Sequence, residues 1–383
     1  MKISCFSILM GIFRHIFGSR KTPKFEKLEM EDLDFQDFDE TLEYLEMEHL
    51  PLEISGKPEI PKSGLLDMPE KALDHIFGFL GLREICTLRK VNHALRDYLT
   101  LQNTHLNFRR FQFSAVLSNR WITVDQKLDL IYFQRENGVL TGIQGRNLKI
   151  LEYQNFQKLA LLDLEYFLKN YKNSGILEVL KFDWWIQNSE YIQNIDEIFD
   201  VFQKSLESRE NCLKVQKLSF YAQNVPQILK ILPFLDSEHL KTLEILDPDF
   251  GKSMCCQKID KLIVLDQWNN LEEINFGICV DSGNLKDFGH FQTGKIVIND
   301  FIFEDLEILK KKFFANPEFQ NFEIRCLNPS AQEIIIRTWE TSPDGPKLIS
   351  NISDFKKIRN FKNSEEIRIR ESDSEFVITF EKL

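Results

Sequence analysis

From residue 65 onward, apolar positions recur at intervals that predict particular elements. Leu73, Ile76, Phe77 and Leu80 follow one another at i, i+3, i+4 and i+7, so they share one face of a helix. Met68-Pro69 opens that helix, with proline at a position that needs no amide hydrogen and Glu70 and Asp74 at the positive dipole end. Gly81 closes it. A second short helix is predicted around Ile85 and Leu88, and a third around Val91, Leu95, Tyr98 and Leu99. Three helices of this size cannot bury their apolar surface by themselves, so either the following domain or a partner must cover them.

The period then changes. Trp121–Phe133 alternates apolar and polar residues around Asp125-Gln126-Lys127, which reads as a hairpin. From about residue 155 helices and strands take turns. Phe156, Leu159, Leu164, Phe167 and Leu168 line one helix, and Ile195, Ile198, Phe199, Phe202 and Leu206 form the cleanest stripe of the chain. Strands follow at LEVLKF (177–182), KLSFY (217–221), LKTLEIL (240–246), LEEINF (271–276), KIVIN (295–299) and FEIRC (322–326), and a closing pair covers 366–370 and 375–380.

Four of these strands share an apolar-x-apolar fragment: Leu180-Phe182, Leu218-Phe220, Leu243-Ile245 and Ile274-Phe276. Leucine-rich repeats have strands of this kind and a period of about 20–29 residues. The layout here is an irregular version, which predicts a leucine-rich-repeat-like α/β solenoid, each unit stacking on its neighbours. An ordinary α/β sheet is the alternative. The expected fold class is therefore α+β and α/β, a small three-helix unit followed by that solenoid. The expected division is 1–24, an apolar and basic segment; 25–64, an acidic, proline-containing linker; 65–103, the helical unit; 104–150, a connecting segment with a strand pair; and 151–383, the C-terminal domain.

Charge and composition narrow the function. The 383 residues carry a net charge of −11. Eleven acids face the single base Lys27 between residues 25 and 50, a stretch that reads as a solvated tether or an acidic interaction segment. Residues 1–24 hold five bases and no acid. The body lacks the clustered Lys and Arg that phosphate backbones demand, so no nucleic-acid partner is expected. The apolar stretch 3–13 is shorter than the roughly 20 residues of a membrane helix, and Arg14 and His15 follow at once, so a membrane partner is not expected either. Seven scattered cysteines without a C-x-x-C spacing argue against a disulfide framework or a metal site, and no cofactor is expected. A reducing compartment, cytoplasm or nucleus, fits best.

Candidate chemistry is sparse. No phosphate loop, nucleophile elbow or zinc helix occurs, which argues against an enzyme. His290 has no evident nucleophile beside it and reads as a packed or capping side chain. Adjacent Trp184 and Trp185 point to opposite faces if they lie on a strand, one into the core. The Cys255-Cys256 pair is a weak candidate for redox chemistry, and Asp247-Pro248-Asp249 reads as a turn.

The stretch 66–99 (LDMPEKALDHIFGFLGLREICTLRKVNHALRDYL) resembles an F-box. The pattern's opening Leu-Pro corresponds to Met68-Pro69, and its closing apolar-Arg-x-Val-x run to Leu88-Arg89-Lys90-Val91-Asn92. Met68 stands where Leu is usual, and Asn92 where Cys or Ser is common. The region 150–345 resembles the FTH domain, so the whole is similar to nematode F-box proteins of the F-box A type. The name-giving Phe-Thr-His appears here as Phe288-Gly289-His290.

The resemblance implies a substrate-receptor subunit of a Skp–cullin–F-box ubiquitin ligase, with a protein-interaction scaffold lacking ubiquitin output as the alternative. It places a Skp-type adaptor, and through it a cullin, on Leu66, Met68, Pro69, Leu73, Ile76, Phe77, Leu80, Leu88, Val91 and Leu95. Truncating Leu73 or Phe77 is expected to weaken that contact. A target protein is expected on the residues between the apolar strand positions, Lys181, Asp183, Ser219, Tyr221, Glu244 and Asn275, which face away from the core.

Overall fold

The computed structural model describes residues 68–382 except 79, 91–92, 102–105, 117–118, 137, 146–147, 153, 173–174, 186–194, 249–255, 301–302, 329–346, 353–354, 361–364 and 372–375. The segments 1–24 and 25–64, with Leu66 and Val91, fall outside the described residues.

Helices α1 (Glu70–Gly78), α2 (Leu82–Arg89) and α3 (His93–Leu101) come first. The hairpin region is larger than the periodicity suggested. It comprises β1 (Arg110–Val116), β2 (Asn119–Val124), β3 (Leu128–Arg135), β4 (Gly138–Ile143) and β5 (Lys149–Glu152), each antiparallel to the next. The β2–β3 turn falls at the expected place, with Asp125 and Gln126 at φ of 52° and 57°. That left-handed pair matches the right-handed twist of the flanking strands. The Asp125 carboxylate accepts the amides of Arg109 and Arg110 at 2.7 and 2.8 Å, which ties the turn to the start of β1.

The chain then alternates. Helix α4 (Phe156–Asn170) starts at Asn155, whose side chain accepts the Lys158 amide at 3.0 Å. Strand β6 (Leu177–Trp185), helix α5 (Ile195–Glu207) and β7 (Val215–Tyr221) follow. Next come α6 (Val225–Leu229), β8 (Thr242–Leu246), the short helices α7 (Asp260–Ile263) and α8 (Asp266–Asn269), and β9 (Glu273–Val280). Strand β10 (Thr293–Ile298), α9 (Phe303–Ala315) and β11 (Asn321–Cys326) complete the alternating part. The antiparallel strands β12 (Lys347–Ile352), β13 (Phe355–Asn360), β14 (Glu365–Glu371) and β15 (Phe376–Lys382) end the chain.

Among the described residues, fifteen strands form one open sheet, ordered β12-β13-β14-β15-β11-β10-β9-β8-β7-β6-β1-β2-β3-β4-β5. Strands β6 to β11 are parallel and in chain order. The four apolar fragments align in one register, Leu180 with Leu218, Leu243 and Ile274, and Phe182 with Phe220, Ile245 and Phe276. The fold is thus a helical unit followed by a mixed α/β sheet. Short connections force the flanking strands β2–β5 and β12–β15 to be antiparallel, an extension that a strand–helix repeat alone does not generate.

The apolar stripe of α5 covers the inner face. Phe202 packs on Phe182 with ring centroids 3.9 Å apart, and Phe199 meets Trp184 at 5.3 Å. Gly294 lies between Ile274 and Phe322 in register. A Cβ there would sit 2.3 Å from the Phe322 ring and 2.9 Å from Ile274 Cγ2, so glycine is what lets these strands pack.

Candidate docking surfaces

The first surface is the helical unit. The Pro69 carbonyl accepts the Ala72 and Leu73 amides at 2.8 and 3.1 Å, starting α1 at the expected point. Met68, at 38% exposure, and Pro69 face solvent, while Ile76, Leu80 and Leu82 are half-buried. Leu73, Phe77, Leu88 and Leu95 lie inside, all below 10% exposure, and the Phe77 ring packs 5.6 Å from Tyr98. These four, expected among adaptor-facing residues, are buried in the core that the helical unit shares with the body. So small a unit must spend its largest apolar groups on its own cohesion, and truncating Leu73 or Phe77 would open its interior.

The body supplies the rest of the cover through a charged knot. Arg89 reaches Asp163 of α4 through Nη2 at 2.8 Å and Nε at 3.3 Å. Lys90 and the Tyr132 hydroxyl both donate to the other Asp163 oxygen, and Lys90 also donates to Tyr132 at 2.8 Å. Arg89 Nη1 donates to Thr100 Oγ1 at 2.7 Å, and its guanidinium lies 3.7 Å from the Tyr166 ring centroid. The Arg89 and Asp163 side chains are each 2% exposed.

Burial alone would raise the Asp163 carboxyl, but Lys90, Arg89 and Arg96 overcome it and hold the group well below the usual carboxylate range. For Lys90 the balance is reversed. Burial outweighs the attraction of Asp163 and brings the ammonium down to about 8. Burial and then Asp163 drive the Tyr132 hydroxyl up, so it stays a donor. Sequence reasoning missed Asp163. Its signal was an acid inside the apolar run LALLDLEYFL, where a lone charge demands a buried partner.

The second surface is the outer face of the parallel strands. Lys181, Ser219, Glu244 and Asn275 are adjacent in register, with Ser219 only 2% exposed beneath its neighbours. Ser219 Oγ donates to Glu244 Oε2 at 2.7 Å, and Asn275 Nδ2 to Glu244 Oε1 at 3.3 Å. Lys217 approaches the same carboxylate at 3.5 Å. Burial opposes ionisation of Glu244, yet Ser219, Lys217 and Asn275 bring its pKa below the ordinary value. Lys181 pairs with Asp183 at 3.0 Å, and Tyr221 stands on the next strand, its hydroxyl raised by burial and by Asp183. The row continues into Lys295 and Glu323, paired at 2.7 Å. Lys295 opens KIVIN and Glu323 stands between Phe322 and Ile324 in FEIRC, so the alternation of FEIRC could have found Glu323 and, by register, its partner.

Other singled-out residues resolve simply. His290 Nε2 lies 3.0 Å from the Trp268 carbonyl, and burial lowers its pKa, the signature of a packed ring. Trp184 is buried; the side chain of Trp185 lies outside the described residues, as do Asp249 and Cys255. Among the described residues, no group of three or more His, Cys, Asp or Glu is placed to hold a metal, and no helix is long and apolar enough to cross a membrane.

Comparison with family models matches the F-box domain at residues 65–107 and the FTH domain at 196–336. The first covers α1–α3, and the second runs from α5 past β11. The chain thus carries an F-box domain followed by an FTH domain. No curated protein and no solved structure matches it.

Proposed function

We propose that this chain is a non-catalytic substrate receptor of a Skp–cullin–F-box ubiquitin ligase. F-box domains generally bind Skp-type adaptors, and the match at 65–107 carries the reading. The adaptor docks on the apolar residues that α1 and α2 leave outward: Met68 and Pro69, with the partly open edges of Ile76, Leu80 and Leu82. Leu73, Phe77, Leu88 and Leu95 support that face from below. Through the adaptor the chain joins a cullin.

The parallel run β6–β11, read as a solenoid-like scaffold, holds a protein target on its outer face at Lys181, Asp183, Ser219, Tyr221, Glu244 and Asn275. Ligation needs the target held close to a charged ubiquitin enzyme, which raises effective concentration without new chemistry. The Arg89–Lys90–Asp163 knot supports this reading, because a buried tie between the helical unit and the sheet limits how far the two surfaces can drift apart. The cytoplasm or nucleus is where such a ligase would act.

The test is co-purification of the full-length chain with a Skp-type adaptor, beside a Met68→Asp/Pro69→Ser variant checked for folding by circular dichroism. Adaptor capture by the wild type and its loss in the folded variant is the expected result. Equal capture by both would overturn the docking face, and no capture by the wild type would overturn the ligase reading.

A further inference from the structure

After β8 the chain returns to the sheet at Gln257, which bridges Val280 in parallel. The Gln257 amide donates to the Cys279 carbonyl at 2.7 Å, and the Asp281 amide donates to the Gln257 carbonyl at 3.0 Å. Two main-chain bonds therefore hold this stretch against the end of β9. Lower down, β8 occupies the same side of β9, pairing from Thr242–Glu273 to Ile245–Phe276. Successive residues of an extended chain point to opposite faces, so the residues just before the bridging pair, Cys256 and Cys279, share a face. Their sulfur atoms are 3.0 Å apart. A disulfide bond of about 2.04 Å would need only about 1 Å of further approach.

We propose that Cys256 and Cys279 form a reversible disulfide when the protein meets a peroxide. Neighbouring backbones of a sheet already lie within the range a disulfide spans, so closure asks for side-chain rotation and leaves the strand pairing intact. Cys256 is half-buried and Cys279 is 4% exposed, which makes Cys256 the entry point. Its thiolate attacks a peroxide oxygen; an S–O bond forms, the O–O bond breaks, and the departing hydroxide takes up a proton as water. The Cys279 thiolate then attacks that sulfenic sulfur; the S–S bond forms, the S–O bond breaks, and a second water leaves. Two thiols and one hydrogen peroxide thus give one disulfide and two waters, with the two electrons passing from sulfur to oxygen. A dithiol reductant reverses it.

The bond would tie the stretch at 256–257 to β9, the strand that presents Asn275 on the outer face. Adjacent Cys255 lies outside the described residues and is the competing partner that the variants below separate. Cys86 and Cys326 are buried, with thiols pushed by burial up to about 12 and about 11, so they react slowly and do not compete.

The experiment treats the purified full-length protein with hydrogen peroxide until exposed Cys212 is oxidised, blocks remaining thiols with N-ethylmaleimide, and maps tryptic peptides by mass spectrometry. Trypsin places Cys256 in peptide 253–258 and Cys279 in peptide 262–286. The expected product joins these two peptides, disappears on adding dithiothreitol, persists in Cys255→Ser, and is lost in Cys256→Ser. Cys256→Ser sits at a half-buried position and keeps the core untouched. Both cysteines alkylated after Cys212 has reacted would overturn the proposal. So would a cross-link that survives Cys256→Ser and vanishes in Cys255→Ser.

Discussion

Arg89 and Asp163 are 74 residues apart in the chain, and their side chains meet at 2.8 Å with both almost wholly out of water. One belongs to the last residue of α2 and the other to the middle of α4, so this pair couples the F-box to the body. Burying ions costs free energy, and a pair of this kind need not add net stability over an apolar substitute. What it does impose is specificity: Asp163 has two oxygens, and Arg89, Lys90 and Tyr132 occupy both in a defined geometry.

Asp163→Ala should therefore cost more than deleting a surface charge. It leaves Arg89 and Lys90 buried without their counter-ion, and loss of one member of such a pair typically costs about 3–5 kcal/mol. Urea unfolding of the variant should show a lower midpoint. A change below about 1 kcal/mol would mean that water reaches the knot.

Stability should also depend on pH in two windows. The Asp163 carboxyl titrates lower in the folded chain than when unfolded, so its contribution is fully present above about pH 4 and drains away as the pH falls through the folded value. Lys90 works in the other direction. Its folded pKa, about 8, is below its unfolded value of about 10.4, so the unfolded chain binds more protons between them and Lys90 makes stability rise with pH there. Urea midpoints measured from pH 3 to 10 should show the acid loss in the wild type. The alkaline contribution should be absent in Lys90→Met; an identical slope in both proteins would assign it elsewhere.

Gly294 offers a local test of sheet packing. Gly294→Ala puts a methyl 2.3 Å from the Phe322 ring and 2.9 Å from Ile274, both in the core. Overpacking of this kind typically costs about 1–3 kcal/mol. Thermal unfolding should show a lowered Tm, and a second change, Phe322→Leu, should recover part of it by making room. No recovery would place the strain in the backbone.

The outer face makes a functional prediction. Ser219→Ala and Glu244→Lys break the hydrogen bond between buried Ser219 and half-buried Glu244, and each should lower stability by about 0.5–1.5 kcal/mol. If the face holds the target, the same changes should remove proteins that co-purify with the wild type while adaptor capture stays constant. An unchanged set of co-purified proteins would exclude this patch.

Much of this was legible because it is local. The 3.6-residue period of Ile195 to Leu206 and the two-residue period of Leu180-Phe182 follow from which faces must be dry, and both elements stand where that pattern put them. The shared fragment even anticipated the register of four strands, since a slip of one residue would turn Leu218 and Leu243 outward and Ser219 and Glu244 inward. The family likeness of the F-box was legible for the same reason: its residues are consecutive.

Tertiary structure decided what depends on distant partners. Strands β12 and β13 carry basic and polar residues in place of the long apolar runs of β6 and β9, so periodicity passed them by; they exist because β14 and β15 offer a paired edge. Which F-box leucines are inner and which are outer was settled by α3 and the body packing against them, since a helical stripe shows one apolar face and not who covers it. Asp163 could find Arg89 and Lys90, and Cys256 could find Cys279, only once the sheet had closed those distances. Sequence alone determined the alternating helices and strands from α4 to β11, their order and the two domain likenesses, because backbone period and motif are short-range properties. The pairing of charges, thiols and sheet edges was left to the fold, because those energies depend on contacts and burial that a linear pattern does not contain.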